Sequence, residues 1–314
     1  RLRVPFRRQG QMGIRGGFPR SWLTGCKGPF DPPRGEGGFS FFYVVLLYDC
    51  GKNGFAKGPK MSGGAREIDS LQNARAKKWL ALADSRGIRK QGQFILSGRK
   101  TVPEALMRHG ERFTAALART ESDLNRLALP SSIERYVLAK PVFEALDTNG
   151  TGFLLLVGDV PEMEVADFSK PATGCELVLA LGDPANLGAV LRSAAAFGVT
   201  RIVLMDGAAH PFHPKALRGG ANAQFALGFL KGGAWETLSY AKGAVAALDG
   251  GGQDIEAYDW PKNLRLVLGE EGRGLPKGLK ATRLAIRMTD RVESLNATVA
   301  ASLALATRFR KGGG

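Results

Sequence analysis

The stretch ELVLALGDPANLGAVLRSAAAFGVTRIVLM, Glu176 to Met205, decides the fold. Residues 176–181 are dense in Val and Leu and short enough for a strand buried on both faces. Asp183 and Pro184 end that run, and Asn186 is the expected N-cap of a helix. Behind it Val190, Ala194 and Phe197 recur at i, i+4 and i+7, which makes one apolar stripe at helical period. Gly198 stops the helix, and residues 201–205 return as a second apolar run. The unit reads as a right-handed βαβ whose ligand-facing turn carries Asn186, Gly188 and Arg192. An amide, a bare backbone and a fixed cation at such a turn point to an anionic or nucleotide-like ligand.

Working toward the carboxyl terminus, residues 210–220 (HPFHPKALRGG) place Lys215 and Arg218 in a loop running into a helix. Residues 263–268 are a third buried strand that enters Gly269-Glu270-Glu271-Gly272-Arg273-Gly274, and 283–288 are a fourth. A last helix over 296–310 is apolar at Val299, Leu303 and Ala306. These strand ends should lie along the carboxyl edge of one parallel sheet, the expected ligand site. Gly269, Gly272 and Gly274 let backbone amides and carbonyls approach a ligand closely; a plain strand-to-loop turn is the competing reading. No helix opens straight after these glycines and no Gly-Lys-Ser/Thr is present, so neither a dinucleotide fingerprint nor a P-loop fits.

Working toward the amino terminus, the pattern is regular from Arg66. A helix is expected over 71–83, with Arg86, Arg89 and Lys90 in the turn beyond it, then a strand over 93–97. Thr101 and Glu104 have the spacing of a capping box, with Pro103 in the first turn. Strands over 111–118, 136–139 and 153–157 and a helix over 142–146 complete a small α/β domain. Residues 163–173 lack a period and read as a linker. The expected organisation is therefore a small α/β domain over 61–165 and a second domain over 166–314.

Residues 1–60 differ from all of this, being rich in Gly, Pro and Arg. Three readings compete: a disordered basic arm, a targeting segment, or translated upstream sequence before a start at Met61, the last being favoured. The chain carries 44 Lys and Arg against 29 Asp and Glu, a formal +15 that favours a polyanionic partner. The first 60 residues hold 11 of those bases and 3 of the acids, leaving 33 against 26, so the rest is only +7. Cys26, Cys50 and Cys175 are odd in number and widely spaced, which fits neither a disulfide framework nor a metal quartet. His109, His210 and His213 make no metal pattern with them. No run reaches the roughly 18 apolar residues of a membrane helix. The expectation is a cytoplasmic protein with no metal and no membrane partner.

Three ordered blocks, NLGAVLRSAAAFG (186–198), LVLGEEGRGLP (266–276) and RVESLNATVAASLALA (291–306), resemble the SpoU or TrmH group of RNA ribose 2′-O-methyltransferases, in the SPOUT class. REIDSLQNARAKKW, QFILSG and AKPVFEALDT resemble that group's amino-terminal substrate-binding domain, which is akin to an RNA-binding ribosomal protein. The resemblance covers about residues 66–310. It implies a carboxy-terminal parallel-sheet α/β domain with a deep trefoil knot, preceded by a smaller α/β RNA-binding domain. It also implies S-adenosylmethionine as cofactor, ribosomal or transfer RNA as substrate with ribosomal RNA slightly preferred, and a homodimer.

By the same resemblance the cofactor positions are Gly269, Ile286 and Leu295, held largely through main-chain contacts; plain core packing is the other reading of the two apolar side chains. Arg192 matches the arginine proposed to help activate the hydroxyl. With a pKa above about 12 it is a poor base, so positioning phosphate and stabilising negative charge suits it better; a surface ion pair is its alternative. Asn186 either caps its helix only or also orients Arg192 or the ribose. Glu271 holds the arginine or a loop, and Ser294 and Asn296 either cap the last helix or touch substrate. Two departures stand out: Ile286-Arg287-Met288 where relatives have Ile-Pro-Met, and Arg218-Gly219-Gly220 where a small hydroxylic residue is usual. The rival functions are a non-catalytic RNA-binding or ribosome-assembly protein retaining the fold, and a Rossmann-type oxidoreductase, which the missing Gly-x-Gly-x-x-Gly disfavours.

Overall fold

The computed structural model describes residues 64–269, 274–276 and 278–313. The basic extension, Cys26, Cys50 and Glu271 lie outside the described residues. Within the compact unit Met61–Gly314 the chain builds two sheets.

The first sheet uses β1 (Arg66–Ile68), β2 (Gln93–Leu96), β3 (Phe113–Ala118), β4 (Glu134–Leu138) and β5 (Leu155–Asp159) in the order β1-β4-β3-β5-β2. β1 and β3 run parallel to β4, whereas β5 is antiparallel to both β2 and β3. Helices α1 (Ala74–Leu80), α2 (Ser85–Gln91), α3 (Thr101–His109), α4 (Glu121–Leu124) and α5 (Lys140–Leu146) connect them. Two local expectations need correction. Arg86, Arg89 and Lys90 belong to α2, because Asp84 accepts the Gly87 N–H and starts a second helix. The Thr101/Glu104 capping box does not form, because Thr101 lies inside the helix and its hydroxyl donates to the Ser97 carbonyl at 2.8 Å.

The second sheet is parallel at every pairing, in the order β12-β10-β11-β7-β8-β9-β6. Its strands are β6 (Glu164–Val165), β7 (Cys175–Leu179), β8 (Arg201–Met205), β9 (Gly228–Gly233), β10 (Ala244–Asp254), β11 (Leu264–Leu268) and β12 (Thr282–Ala285). β6 lies within the expected linker and pairs with β9, so that stretch is partly a strand. Helices α6 (Pro184–Ala196), α7 (Pro214–Gly220) and α8 (Ala297–Arg308) complete the lobe.

The N-cap of α6 is Asp183, not Asn186: its carboxylate accepts the Asn186 N–H at 2.8 Å. Pro184, whose ring fixes a helical φ, occupies the first turn and sets that register. At the other end Gly198, at φ +76°, lets the Val199 N–H reach the Ala194 carbonyl at 3.0 Å and closes the helix as expected. The stripe on α8 is also corrected. Val299 and Leu303 face outward, whereas Ala301, Ala304 and Leu305 are buried against the sheet.

The two lobes share one core. Phe94 of β2 lies 4.7 Å from Phe212 and 6.0 Å from Phe225, and Phe225 lies 5.9 Å from Phe113 of β3. The contact is a packed aromatic cluster rather than a hinge.

At the amino end of the second sheet Glu176 and Arg265, paired in register, form a buried ion pair at 2.9 Å. Arg265 also donates to the carbonyls of Lys242 and Lys170, each at 2.9 Å. Its guanidinium sits 5.3 Å from the centre of the Phe168 ring. Every face of this cation is used.

Candidate functional site

The carboxyl edge of the second sheet gathers most of the residues singled out above. β7 and β11 are neighbours, so the turn into α6 and the glycine-rich end of β11 stand side by side. β10 lies between β11 and β12, which sets Ile286 two strands from Gly269 along the same edge. In open parallel sheets the crevice that takes a ligand is expected along this edge.

Gly269 has no room for a side chain. A Cβ there would stand 2.5 Å from the Gly274 carbonyl carbon and 2.8 Å from the Leu275 nitrogen. The chain thus folds back against the bare backbone of the strand end. Ile286 and Leu295 are half-buried, and Ile286 packs against the core. Neither main-chain group of Leu295 is bonded to a described residue.

Helices α6 and α8 meet above this edge. The Thr298 hydroxyl approaches the Asn186 carbonyl at 3.4 Å, and the Ser193 and Ser302 hydroxyls share a hydrogen bond at 2.7 Å. Asn296 caps α8, accepting the Thr298 N–H at 2.8 Å, so the first turn of the last helix is held beside Asn186. Asn186 is half-buried and engaged. Ser294 and Arg192 are exposed, and Arg192 makes no hydrogen bond or ion pair among the described residues. Its surface ion-pair reading therefore finds no partner there.

α7 packs on α6 backbone to backbone. Gly188 is buried, and a Cβ on it would meet the Ala216 carbonyl oxygen at 2.2 Å. This close crossing carries Lys215 and Arg218, which lie on α7 rather than in a loop before it, to the edge of a cavity of about 420 Å³ between the lobes. Ala185, His213, Thr148 and Asn149 line it as well. Sequence reasoning did not find His213, Thr148 or Asn149. The only local sign was the His213-Pro214 step, in which Pro214 takes the first helical turn and the ring of His213 caps it by accepting the Lys215 N–H at 3.1 Å.

The histidines here are neutral near pH 7. Burial, with Arg89 and His213 behind it, lowers His210 to about 4. Burial and then Lys215 lower His213 as well, against the opposing pull of Asp84 and Asp183. Among the described residues no group of three His, Cys, Asp or Glu could hold a metal ion, and no helix is long and apolar enough to cross a membrane.

Residues 177–306 match the model of the SpoU rRNA Methylase family. Ribosomal RNA small subunit methyltransferase G 2 of Syntrophobacter fumaroxidans is 38% identical over 251 residues, covering 79% of this chain and 50% of that protein. The chain thus spans half the length of that relative. The 23S rRNA (guanosine(2553)-2′-O)-methyltransferase RlmP of Bacillus subtilis is 27% identical over 249 residues, 76% of this chain and 97% of that one. The AdoMet-bound rRNA methyltransferase of Sinorhizobium meliloti superposes with a TM-score of 0.66 at 21% identity, over 79% of this chain and 98% of that one, a likeness of fold.

Proposed function

Because the chain carries a SpoU-family methylase domain, we propose that it transfers a methyl group from S-adenosylmethionine to a ribose 2′-hydroxyl of RNA, with ribosomal RNA the preferred class. The observation that carries this reading is the carboxyl edge itself, where a strand end that excludes any side chain lies beside the joined first turns of α6 and α8.

The residues present fit the cofactor. Gly269 offers bare backbone, Leu295 offers unengaged main-chain groups, and Ile286 offers an apolar wall. When bound, the cofactor supplies an electrophilic methyl on a sulfonium. The ribose 2′-oxygen that takes this methyl would release its proton to solvent. Arg192 supplies a permanent positive charge for a phosphate or for the oxygen that gains electron density, and the Asn186 and Asn296 turns hold the helices that frame it. Ser294, exposed just before α8, and Glu271 are carried as substrate-side residues on the family pattern.

Further proposals rest on this one. Residues 61–165 bind substrate RNA, and 166–314 carry the transfer and follow the family's trefoil-knotted path. A chain starting at Met61 should therefore fold and methylate. Two copies pair through the outward stripe of α8, where Val299 and Leu303 are 46% and 44% exposed and Phe309 just beyond is 50% exposed, an apolar face that water disfavours. A cytoplasmic location suits an RNA-modifying enzyme.

The test is transfer from tritiated S-adenosylmethionine to unmodified ribosomal RNA, followed by alkaline hydrolysis. Methylation at the 2′-oxygen blocks strand cleavage, so tritium should appear in alkali-resistant dinucleotides. Tritium found only in mononucleotides would place the methyl on a base and overturn the ribose assignment. Calorimetry with the cofactor alone should give one site per chain, and Gly269→Val should lose it.

A further inference from the structure

Lys215 and Arg218 stand three residues apart on α7, on one face of the helix, and both are exposed. Like charges at that spacing repel by a few tenths of a kcal/mol. Neither side chain has a hydrogen bond or an acidic partner among the described residues, although surface cations elsewhere in the chain do, as Arg66 and Arg75 do with Glu134. Two adjacent unpaired cations at the mouth of a cavity form a site of positive potential that awaits an anion.

The rest of the cavity suits an oxyanion with a polar substituent. The Nδ1 atom of His213 accepts the Lys215 N–H, so the proton of the neutral ring sits on Nε2 as a further donor. Ala185 belongs to the first turn of the 13-residue helix α6, whose dipole favours negative charge there. From the other lobe come Thr148 and Asn149, and Asn149 is held in place by donating to the Ser97 hydroxyl at 2.7 Å. The nearby carboxylates of Asp84 and Asp183 are committed to helix N–H groups at 2.8 Å each, which offsets their repulsion of an anion. The aromatic cluster that joins the lobes fixes the width of this cavity before any ligand arrives.

We propose that this cavity between the lobes binds a phosphodiester group of the substrate RNA, one flanking the nucleotide whose ribose is methylated, with Lys215 and Arg218 as its cations. This rests on the RNA methyltransferase reading. The first turn of α6 separates the cavity, at Ala185, from the crevice, at Asn186. Ala185 and Asn186 are consecutive, so the two sites adjoin, and one strand can set a flanking phosphate in the first while its reacting ribose lies at the second. The site uses both lobes for a single group, and it fixes strand direction through the crevice without reading a base.

The experiment measures binding of a short fluorescein-labelled single-stranded oligoribonucleotide to the parent and to the Lys215→Ala/Arg218→Ala variant over a range of KCl concentrations, with no cofactor present. Removing two phosphate contacts should lower the slope of log K against log salt by about 1.4, at about 0.7 per contact for single strands. Affinity at low salt should fall about tenfold or more. Cofactor affinity should not change, and turnover at saturating RNA should stay within about threefold of the parent. Lys231→Ala/Lys262→Ala, which removes the same charge elsewhere on the surface and outside residues 61–165, should leave the slope nearly as it was. Inorganic phosphate should compete with RNA on the parent and not on the Lys215/Arg218 variant. An unchanged slope and affinity, or equal losses in both double variants, would overturn the assignment. Arg218→Gln, a single exposed change, repeats the slope measurement if the double variant melts early. Failure of the parent to transfer methyl groups would remove the catalytic reading while leaving the binding result to stand or fall alone.

Discussion

The two ends of the seven-stranded sheet treat positive charge in opposite ways. At the amino end Arg265 is 3% exposed and spends its guanidinium on Glu176, Lys242 and Lys170. On the helices that follow the carboxyl ends, the side chains of Arg192, Lys215 and Arg218 are exposed and make no hydrogen bond or ion pair among the described residues. A buried cation must be fully partnered or it destabilises the fold, whereas a solvated cation can be left for a ligand at little cost. The first end fastens strands together, and the second leaves its cations open to solvent.

Variants at each end should separate those roles. The largest effect is expected from Arg265→Ala, which leaves Glu176 buried with only Arg201 at 3.6 Å and should cost about 3–5 kcal/mol of stability. Urea unfolding would measure it; a loss below 1 kcal/mol would mean that the pair fastens nothing. Next comes Arg192→Ala, which should melt with the parent and bind cofactor normally while single-turnover methyl transfer drops about 100-fold or more, a loss of about 3 kcal/mol. Arg192→Lys should recover little, since the planar fork that holds two oxygens is gone. Near-parental rates for Arg192→Ala would erase the contrast between the two ends.

A pH measurement sharpens the comparison further. His210 sits in the carboxyl-end loop, its Nδ1 accepting the Phe212 N–H. Its folded pKa of about 4 lies below the ordinary 6.5, so between those values the unfolded chain binds the proton and the folded chain does not. Stability from this residue is complete above pH 6.5, is lost as pH falls toward 4, and is constant below. The span is on the order of 3 kcal/mol. His210→Asn keeps the acceptor and should flatten this part of the stability curve. The smallest effect is expected at Ala221, which follows α7 at φ +46°, a left-handed conformation that favours glycine. Ala221→Gly should raise stability by about 0.5 kcal/mol, read as a small upward shift in Tm.

The same contrast explains what could be read in the sequence. Apart from Glu176, Arg201 and Arg265 at their amino ends, strands β7, β8 and β11 are runs of apolar residues rich in Leu, Val and Ile, as strands buried on both faces tend to be, and their positions were legible. β9 and β10 were not, because GFLKGG and DGGGQD have no strand propensity of their own and are held by their neighbours' ladders. Asp183 and Asn186 are equally good caps by residue type, and only the fixed φ of Pro184 decides between them. The site residues on the three blocks could be located because they follow strand ends. Asn149 and His213 could not be paired from sequence, since 64 residues separate them and only the docking of the lobes brings them to one cavity.

The strand β6 has a practical meaning for anyone who would move this catalytic fold into another protein. It lies before residue 166, yet it covers the outer edge of β9. A transplant cut at residue 166 would leave that edge as a row of unpaired amides and carbonyls, an invitation to stick to the next copy. It would also strip Phe94 from Phe212 and Phe225 and lay an aromatic face open to water. The unit to move is the pair of lobes, seam included.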